Sequence, residues 1–180
     1  MPTTFSLPQW IDEVDATVDD SWDTLRGNAA LDGIFYAASA AADFSLLWHG
    51  LNVVRWWRGK ATGRDMVRVA VLIGAESLIV NQGLKRAFRR TRPDADPRDR
   101  PHHLRQPSTS SFPSGHASSA VMAAELLREG DPGLRRFYNL TAAIVGTSRL
   151  HVRIHHFSDV VAGAAVGALL NRVAKRVWPA

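Results

Sequence analysis

Apolar residues return along this chain at steps of three and four, and no stretch alternates with a clean period of two. That pattern predicts helices throughout and no strand. In the opening segment Trp10, Val14, Val18, Trp22 and Leu25 mark one face of an amphipathic helix. Five apolar stretches follow, at about 33–54, 66–84, 115–127, 137–152 and 157–171, rich in Ala, Leu and Val. The predicted fold class is therefore all-α: a bundle of about five core helices behind an N-terminal amphipathic helix. The expected organisation is an acidic segment over 1–28 and a single domain over 29–180. The connection 55–65 is basic, 128–136 is short and holds Gly and Pro, and 85–112 is long and dense in Arg, Pro, His and Ser. So long an irregular connection in a compact chain points to function.

Composition narrows the class. A chain of 180 residues, 46% hydrophobic, suits one folded domain and excludes a disordered one. The absence of cysteine excludes disulfide scaffolds, thiol nucleophiles, thiolate zinc sites and iron–sulfur clusters. The net charge of +5 is unevenly spread. Residues 1–28 set Asp12, Glu13, Asp15, Asp19, Asp20 and Asp23 against Arg26, six acids to one base and so −5, which leaves +10 for the remainder. The start of the chain has no basic region followed by an unbroken apolar run, so it does not read as a secretory signal.

Hydropathy alone leaves buried soluble helices and membrane spans evenly matched. A span needs about 20 mostly apolar residues, and these stretches carry Asp43, Arg68, Glu76 and Glu125. Charge placement tips the balance. If each stretch crosses once, one side receives the basic connections 55–65 and 128–136 and the basic tail with Arg172, Lys175 and Arg176. The other side receives the acidic N-terminus and the loop 85–112. This is the positive-inside distribution, apart from the Arg-rich loop. The reading is a multi-pass membrane bundle with 85–112 on the outer face and Asp43 and Glu76 inside the bundle.

Three clusters carry chemistry, all at helix ends on that outer side: Lys85 to Arg92-Pro93, Pro113-Ser114-Gly115-His116, and Ser148-Arg149 through His155 to Asp159. Lys85 is a point charge, while Arg92 and Arg149 are planar forks suited to phosphate oxygens. Ser114 and Gly115 open a helix, where backbone N–H groups and the dipole favour an anion. His155 and Asp159 are four apart and share a helical face, so the carboxylate can fix the imidazole tautomer and leave the other nitrogen as a nucleophile. His116, from another helix, can protonate a leaving oxygen. Each piece alone has an ordinary reading as a basic helix end, a capped helix start or a surface ion pair. Their joint occurrence in order favours one anion site with an acid/base pair. His151 and His155 also have the i, i+4 spacing of metal ligands, but no third ligand is implied. Arg86, Arg89, Arg90 and Arg105 read as solvated surface.

Lys85-x6-Arg92-Pro93, Pro113-Ser114-Gly115-His116 and Ser148-Arg149-x5-His155-x3-Asp159 together resemble the tripartite signature of the type 2 phosphatidic acid phosphatase superfamily. That superfamily includes lipid phosphate phosphatases, class A acid phosphatases and vanadium haloperoxidases. The resemblance implies an all-α bundle in which Lys85, Arg92, Ser114, Gly115 and Arg149 bind phosphate. It further implies that His155 attacks phosphorus to give a phosphohistidine, that His116 protonates the leaving group, that Asp159 orients His155, and that neither metal nor other cofactor is required. The leading expectation is a membrane phosphatase or diphosphatase acting on a polyprenyl or glycerolipid phosphate. The alternatives are a soluble acid phosphatase or a vanadate-dependent haloperoxidase. A nucleic-acid binder would account for the basic charge but not for the placement of His116, His155 and Asp159. The acidic N-terminal helix lies outside the family pattern and receives no role from it.

Overall fold

The computed structural model describes residues 7–93 and 108–180, and among them the regular structure is helical. Helices α1 (Gln9–Asp23), α2 (Ala29–Ala41), α3 (Leu46–Trp57) and α4 (Gly63–Leu78) occupy the first half. A π turn over Ile79–Leu84 joins α4 to the short α5 (Lys85–Ala87), and α6 (Gly115–Gly130), α7 (Arg135–His151) and α8 (Phe157–Val177) complete the bundle. Local chemistry sets the starts. The Asn28 side chain accepts the amides of Ala30 and Leu31, Thr62 and Asp65 form a capping box, and Ser114 caps α6, each satisfying amides with no partner in the preceding turn.

Helix α6 is the axis of the bundle, buried along its length from Ala117 to Leu127. Around it pack α4, α7 and α8, with Trp48, Ile73, Leu126, Leu127, Tyr138 and Val145 forming the core. The α6–α8 pair is a seam of backbone against side-chain-free backbone. A Cβ at Gly163 would lie 2.3 Å from the Ser114 carbonyl oxygen, and one at Gly167 would lie 2.2 Å from that of Ser118. The outside of the bundle is apolar, with Val53, Val67, Val71, Leu78, Val161, Leu169 and Val173 about half exposed, whereas Glu76, Arg55 and Arg68 are buried. An exposed apolar belt with the charges of these helices turned inside is the arrangement expected of a surface that meets lipid.

The expected stretch 33–54 is not one helix. It bends by 67° between α2 and α3, through Asp43–Ser45, where Phe44 and Ser45 have φ of 53° and 59°. Left-handed backbone at non-glycine residues costs of order 1–3 kcal/mol each, so the surroundings must hold it. At the break, Asp43 points toward the start of α6. The five expected crossings are also not all of spanning length. Gly63–Ala87 (25 residues) and Phe157–Val177 (21 residues) are long and apolar enough, and the bent α2–α3 pair is a third if it crosses as one. α6 and α7, of 16 and 17 residues, rise only ~24–26 Å against a hydrocarbon core of about 30 Å.

The two ends of the bundle differ. At one end, Arg58 pairs with Asp131 at 3.1 Å, Arg68 pairs with Glu129 at 3.0 Å, and Arg68 also donates to the Trp178 carbonyl at 2.7 Å. These contacts gather the α3–α4 turn, the α6–α7 turn and the C-terminus. The opposite end holds the end of α5 and the starts of α6 and α8, where all three motifs lie. The glycine seam yields a paired prediction. Gly163→Ala should lower stability by about 1–3 kcal/mol through overpacking, read as a drop in Tm in detergent. Gly74→Ala, with nothing within 4 Å of its Cβ, should hold or raise Tm, because Gly to Ala inside a helix gains about 0.5–1 kcal/mol.

Candidate active site

The π turn over Ile79–Leu84 shifts the helical register just before Lys85, so Lys85 points inward and is buried while Arg86 stays outside. It also brings Asn81 and Lys85 against the start of α6. A Cβ at Gly115 would sit 3.1 Å from Asn81 Oδ1 and 3.7 Å from Lys85 Nζ, so a side chain there would press on Asn81.

Beyond α5 the chain is extended, and its segment 88–92 runs beside 109–112. Arg90 N donates to Ser110 Oγ at 3.0 Å, Ser111 N to the Arg90 carbonyl at 3.0 Å, and Ser111 Oγ to the Thr91 carbonyl at 3.0 Å. The Arg92 guanidinium is aimed by carbonyl oxygens. It donates to Ile154 at 2.9 Å, Thr109 at 3.0 Å and Ser110 at 3.2 Å, which leaves Nη1 3.3 Å from His155 Nε2. A guanidinium has only donors, so Nε2 presents its lone pair and the ring proton belongs on Nδ1. His155 lies in the turn before α8 rather than on the helix, so the pair does not share a helical face as expected, yet Nδ1 faces Asp159 Oδ2 at 3.6 Å. Asp159 is fully buried, with Oδ2 accepting the His156 amide at 2.9 Å and Oδ1 accepting Arg90 Nη1 at 2.9 Å.

Burial, reinforced by Arg149 and Arg92 and opposed by Asp159, holds the His155 imidazole far below its ordinary pKa, at about 3. It is neutral at physiological pH, as a nitrogen nucleophile must be. Arg149, also buried, donates to the Ser39 hydroxyl of α2, and its carbonyl accepts the amides of Ile154 and His155 at 3.1 and 3.2 Å. Its charge acts on both His155 and His116, and that of Lys85 acts on His116. The structure thus brings Lys85, Arg92, Gly115, His116, Arg149, His155 and Asp159 to one end of the bundle.

Ser114 sits differently from expectation. Its amide donates to the Asp159 carbonyl at 2.9 Å and its hydroxyl caps the Ala117 amide at 3.4 Å. Its placement makes it the joint between α6 and α8, while the first two amides of α6, those of Gly115 and His116, have no carbonyl a turn earlier to bond.

Sequence reasoning missed several residues. Asp43, seen there only as a charge inside the first stretch, lies with Oδ1 3.1 Å from His116 Nε2. Arg90 is not solvated surface: its side chain is 11% exposed and it bridges Asp12, Asp15, Ser158 and Asp159. A basic run offers no spacing that singles out one arginine, and its acidic partners are 69 to 78 residues away. Arg86 and Arg89 are exposed, and Arg105 lies outside the described residues. His151 does not join His155. Its Nδ1 accepts from Trp22 Nε1 at 3.2 Å, its Nε2 contacts Asp32 Oδ1 at 2.7 Å, and its ring stacks on Phe35. Both of its nitrogens are engaged in holding α1 and α2, so the spacing with His155 reflects packing and not shared ligation. A cavity of about 590 Å³ opens beside His155 on the α1 side, walled by Asp12, Asp19, Arg89 and Phe157. Lys85, Gly115 and Arg149 do not line it, so it is separate from the cluster of cations.

The sequence model of the PAP2 superfamily matches residues 66–180. The chain is 28% identical over 166 residues to lipid A 1-phosphatase of Porphyromonas gingivalis, covering 87% of this chain and 34% of that protein. It is 31% identical over 117 residues to phosphatidylglycerophosphatase B of Bacillus subtilis, covering 59% of this chain and 54% of that protein. The chain therefore spans about a third and about half of these two relatives. Among solved structures it resembles the transmembrane PAP2-type phosphatidylglycerolphosphate phosphatase of Bacillus subtilis, with a TM-score of 0.70, 23% identity, and coverage of 94% of this chain and 87% of that one.

The depressed His155 pKa has a consequence for stability. The unfolded imidazole takes up a proton near pH 6.5, the native one only near pH 3. Between those values the unfolded state binds more protons, so this group's contribution is lost as pH falls below about 6.5, by at most ~1.4 kcal/mol per pH unit. In Tm measurements in detergent from pH 7 to pH 4.5, His155→Gln should give a shallower decline than the unsubstituted protein. Equal slopes would mean that His155 is not held neutral by the fold.

Proposed function

The chain belongs to the PAP2 superfamily, and on that footing we propose that it is a membrane lipid phosphatase that cleaves a phosphomonoester or diphosphate of a polyprenyl or glycerolipid through a phosphohistidine. One observation carries the reading. An anchored guanidinium, Arg92, points its donor at the lone pair of a neutral, buried imidazole nitrogen, His155 Nε2. A phosphoryl oxygen bound by Arg92 would place phosphorus beside that lone pair. The similarity to lipid A 1-phosphatase and phosphatidylglycerophosphatase B favours the same substrate class, as do the apolar exterior and the two helices of spanning length.

In the proposed mechanism Lys85, Arg92, Arg149 and the first amides of α6 hold the phosphoryl oxygens and offset the charge of the transition state. His155 Nε2 attacks phosphorus, and the bond to the leaving oxygen breaks as His116 delivers a proton to it. Asp159, next to Nδ1, stabilises the positive charge that His155 acquires. Burial, with the charge of Arg149, holds the His116 pKa low, at about 4; Asp43, 3.1 Å from Nε2, opposes this and favours the protonated ring, leaving Nδ1 for the leaving oxygen. Neutral His116 then takes a proton from water as that water attacks the phosphohistidine, which releases phosphate and restores both rings.

The test is phosphate release in detergent from polyprenyl diphosphates, phosphatidic acid and phosphatidylglycerophosphate. His155→Ala should abolish turnover on every substrate, because it removes the only route to the covalent intermediate. His116→Ala should cost about 10²–10⁴-fold on lipid substrates but little on p-nitrophenyl phosphate, whose leaving group needs no proton. Asp43→Asn should follow the same leaving-group pattern with a smaller loss. Near-normal activity in His155→Ala would overturn the mechanism.

We further propose that the site opens on the outer face. The basic connections gather at the end opposite the motifs, and basic loops favour the cytoplasm. With a cysteine introduced by Ser108→Cys, and separately by Gly133→Cys, an impermeant maleimide applied to intact cells should label the first and not the second. The reverse pattern would turn the site toward the cytoplasm.

A further inference from the structure

Helix α1 docks by a buried acid. Along its apolar stripe Trp10 is 64% exposed and Val14 43%, whereas Asp15 is 4% exposed. A carboxylate buried that deeply is costly unless its lone pairs are filled, and those of Asp15 are filled. Oδ1 accepts the Ser158 amide at 2.7 Å, and Oδ2 accepts the Ser158 hydroxyl at 2.7 Å and Arg90 Nη2 at 2.6 Å. Ser158 is in the first turn of α8, so α1 caps the very helix that carries Asp159, at its positive dipole end.

Arg90 continues the chain of contacts. Its Nη1 donates to Asp159 Oδ1 at 2.9 Å and to Ser158 Oγ at 2.6 Å. Oδ2 of Asp159 is held by the His156 amide and faces His155. The Asp159 carboxylate therefore has a handle on each oxygen, and one handle belongs to a guanidinium whose other branch is held by α1.

Charge explains why the outer acid matters. Arg90 alone against Asp159 would cancel the negative charge that His155 needs as it becomes cationic during attack. With Asp15 on its other side, the Arg90–Asp15 pair is neutral and the charge of Asp159 remains available to His155. We propose that Asp15 and Arg90 are positioning residues for the hydrolysis. The acidic N-terminal helix, through Arg90, sets the orientation of Asp159 and preserves its net charge. This inference rests on the hydrolase reading above.

The experiment measures kcat, KM and the inhibition constant of inorganic phosphate for Asp15→Asn, Arg90→Ala and the control Asp20→Asn, on the best lipid phosphate of the panel. Asp20→Asn removes the same charge from an exposed position of the same helix. Asp15→Asn and Arg90→Ala should lower kcat about 10–100-fold, the scale seen for outer partners that orient a working imidazole. KM and the phosphate inhibition constant should change less than about threefold, since the cations that bind phosphate are untouched. Asp20→Asn should match the unsubstituted protein. Millimolar guanidinium should restore part of the kcat lost in Arg90→Ala, which a misfolded site would not allow. If Arg90→Ala fails to fold, Asp15→Asn carries the same readout, because its amide oxygen still accepts from Ser158. Unchanged kcat in Asp15→Asn, or parallel losses in kcat and phosphate binding without rescue, would overturn the inference while leaving the hydrolase reading intact. Absence of phosphate release by the unsubstituted protein, on lipid or p-nitrophenyl substrates, would overturn both.

Discussion

The site depends on one seam, where α8 lies directly on the backbone at the start of α6. Gly163 and Gly167 leave no side chain between the helices, and in that gap the Ser114 amide donates to the Asp159 carbonyl at 2.9 Å. The residue that caps α6 is thereby tied to the residue that faces the His155 ring. Gly115 and His116 follow Ser114 on α6, and His155 lies in the turn just before α8, four residues ahead of Asp159. Packing and site geometry are consequently a single constraint: any widening of the seam moves the two histidines apart.

Electrostatics accounts for what surrounds that seam. Lys85 and Arg149 are buried and Arg92 is half-buried, and together they make a cluster of positive charge. Like charges at short range in a low-dielectric interior repel, so such a cluster is stable only with carboxylates close by or an anion bound. The carboxylates are distributed around the cations and the two histidines. Asp159 stands behind His155, Asp43 stands at His116, and buried Glu76 lies within electrostatic reach of Lys85. The cations thus have carboxylates near them.

The same accounting gives the N-terminal segment a place. α1 lies against α7 and α8, and its contacts converge on the turn between them. Arg26 donates to the carbonyls of Leu150 and His151, Trp22 to His151, and Asp15 accepts from Ser158. The excess of acid in residues 1–28 is met by Arg90, Arg153 and the dipole of α8, all at the motif-bearing end. The basic residues of the connecting turns collect at the other end, giving the bundle the charge asymmetry by which a membrane orients a chain.

Much was legible in the residues alone, because the signals were local. Three- and four-residue apolar steps, capping residues and the absence of alternation determined an all-helical bundle. The spacings within Lys85–Arg92, Ser114–His116 and Arg149–Asp159 determined which groups a phosphate chemistry could use, and family membership bears out that resemblance. What one-dimensional spacing could not supply is anything arising from contacts between distant parts of the chain. The bend at Asp43 accompanies a contact 73 positions away with His116. The role of Arg90 depends on acids 69 and 75 positions away, and the separation of His151 from His155 depends on Trp22 and Asp32 claiming its ring. Burial selects one arginine out of a basic run and one aspartate out of an acidic helix. Burial is a property of packed surfaces, so only the folded chain could decide which charges joined the site.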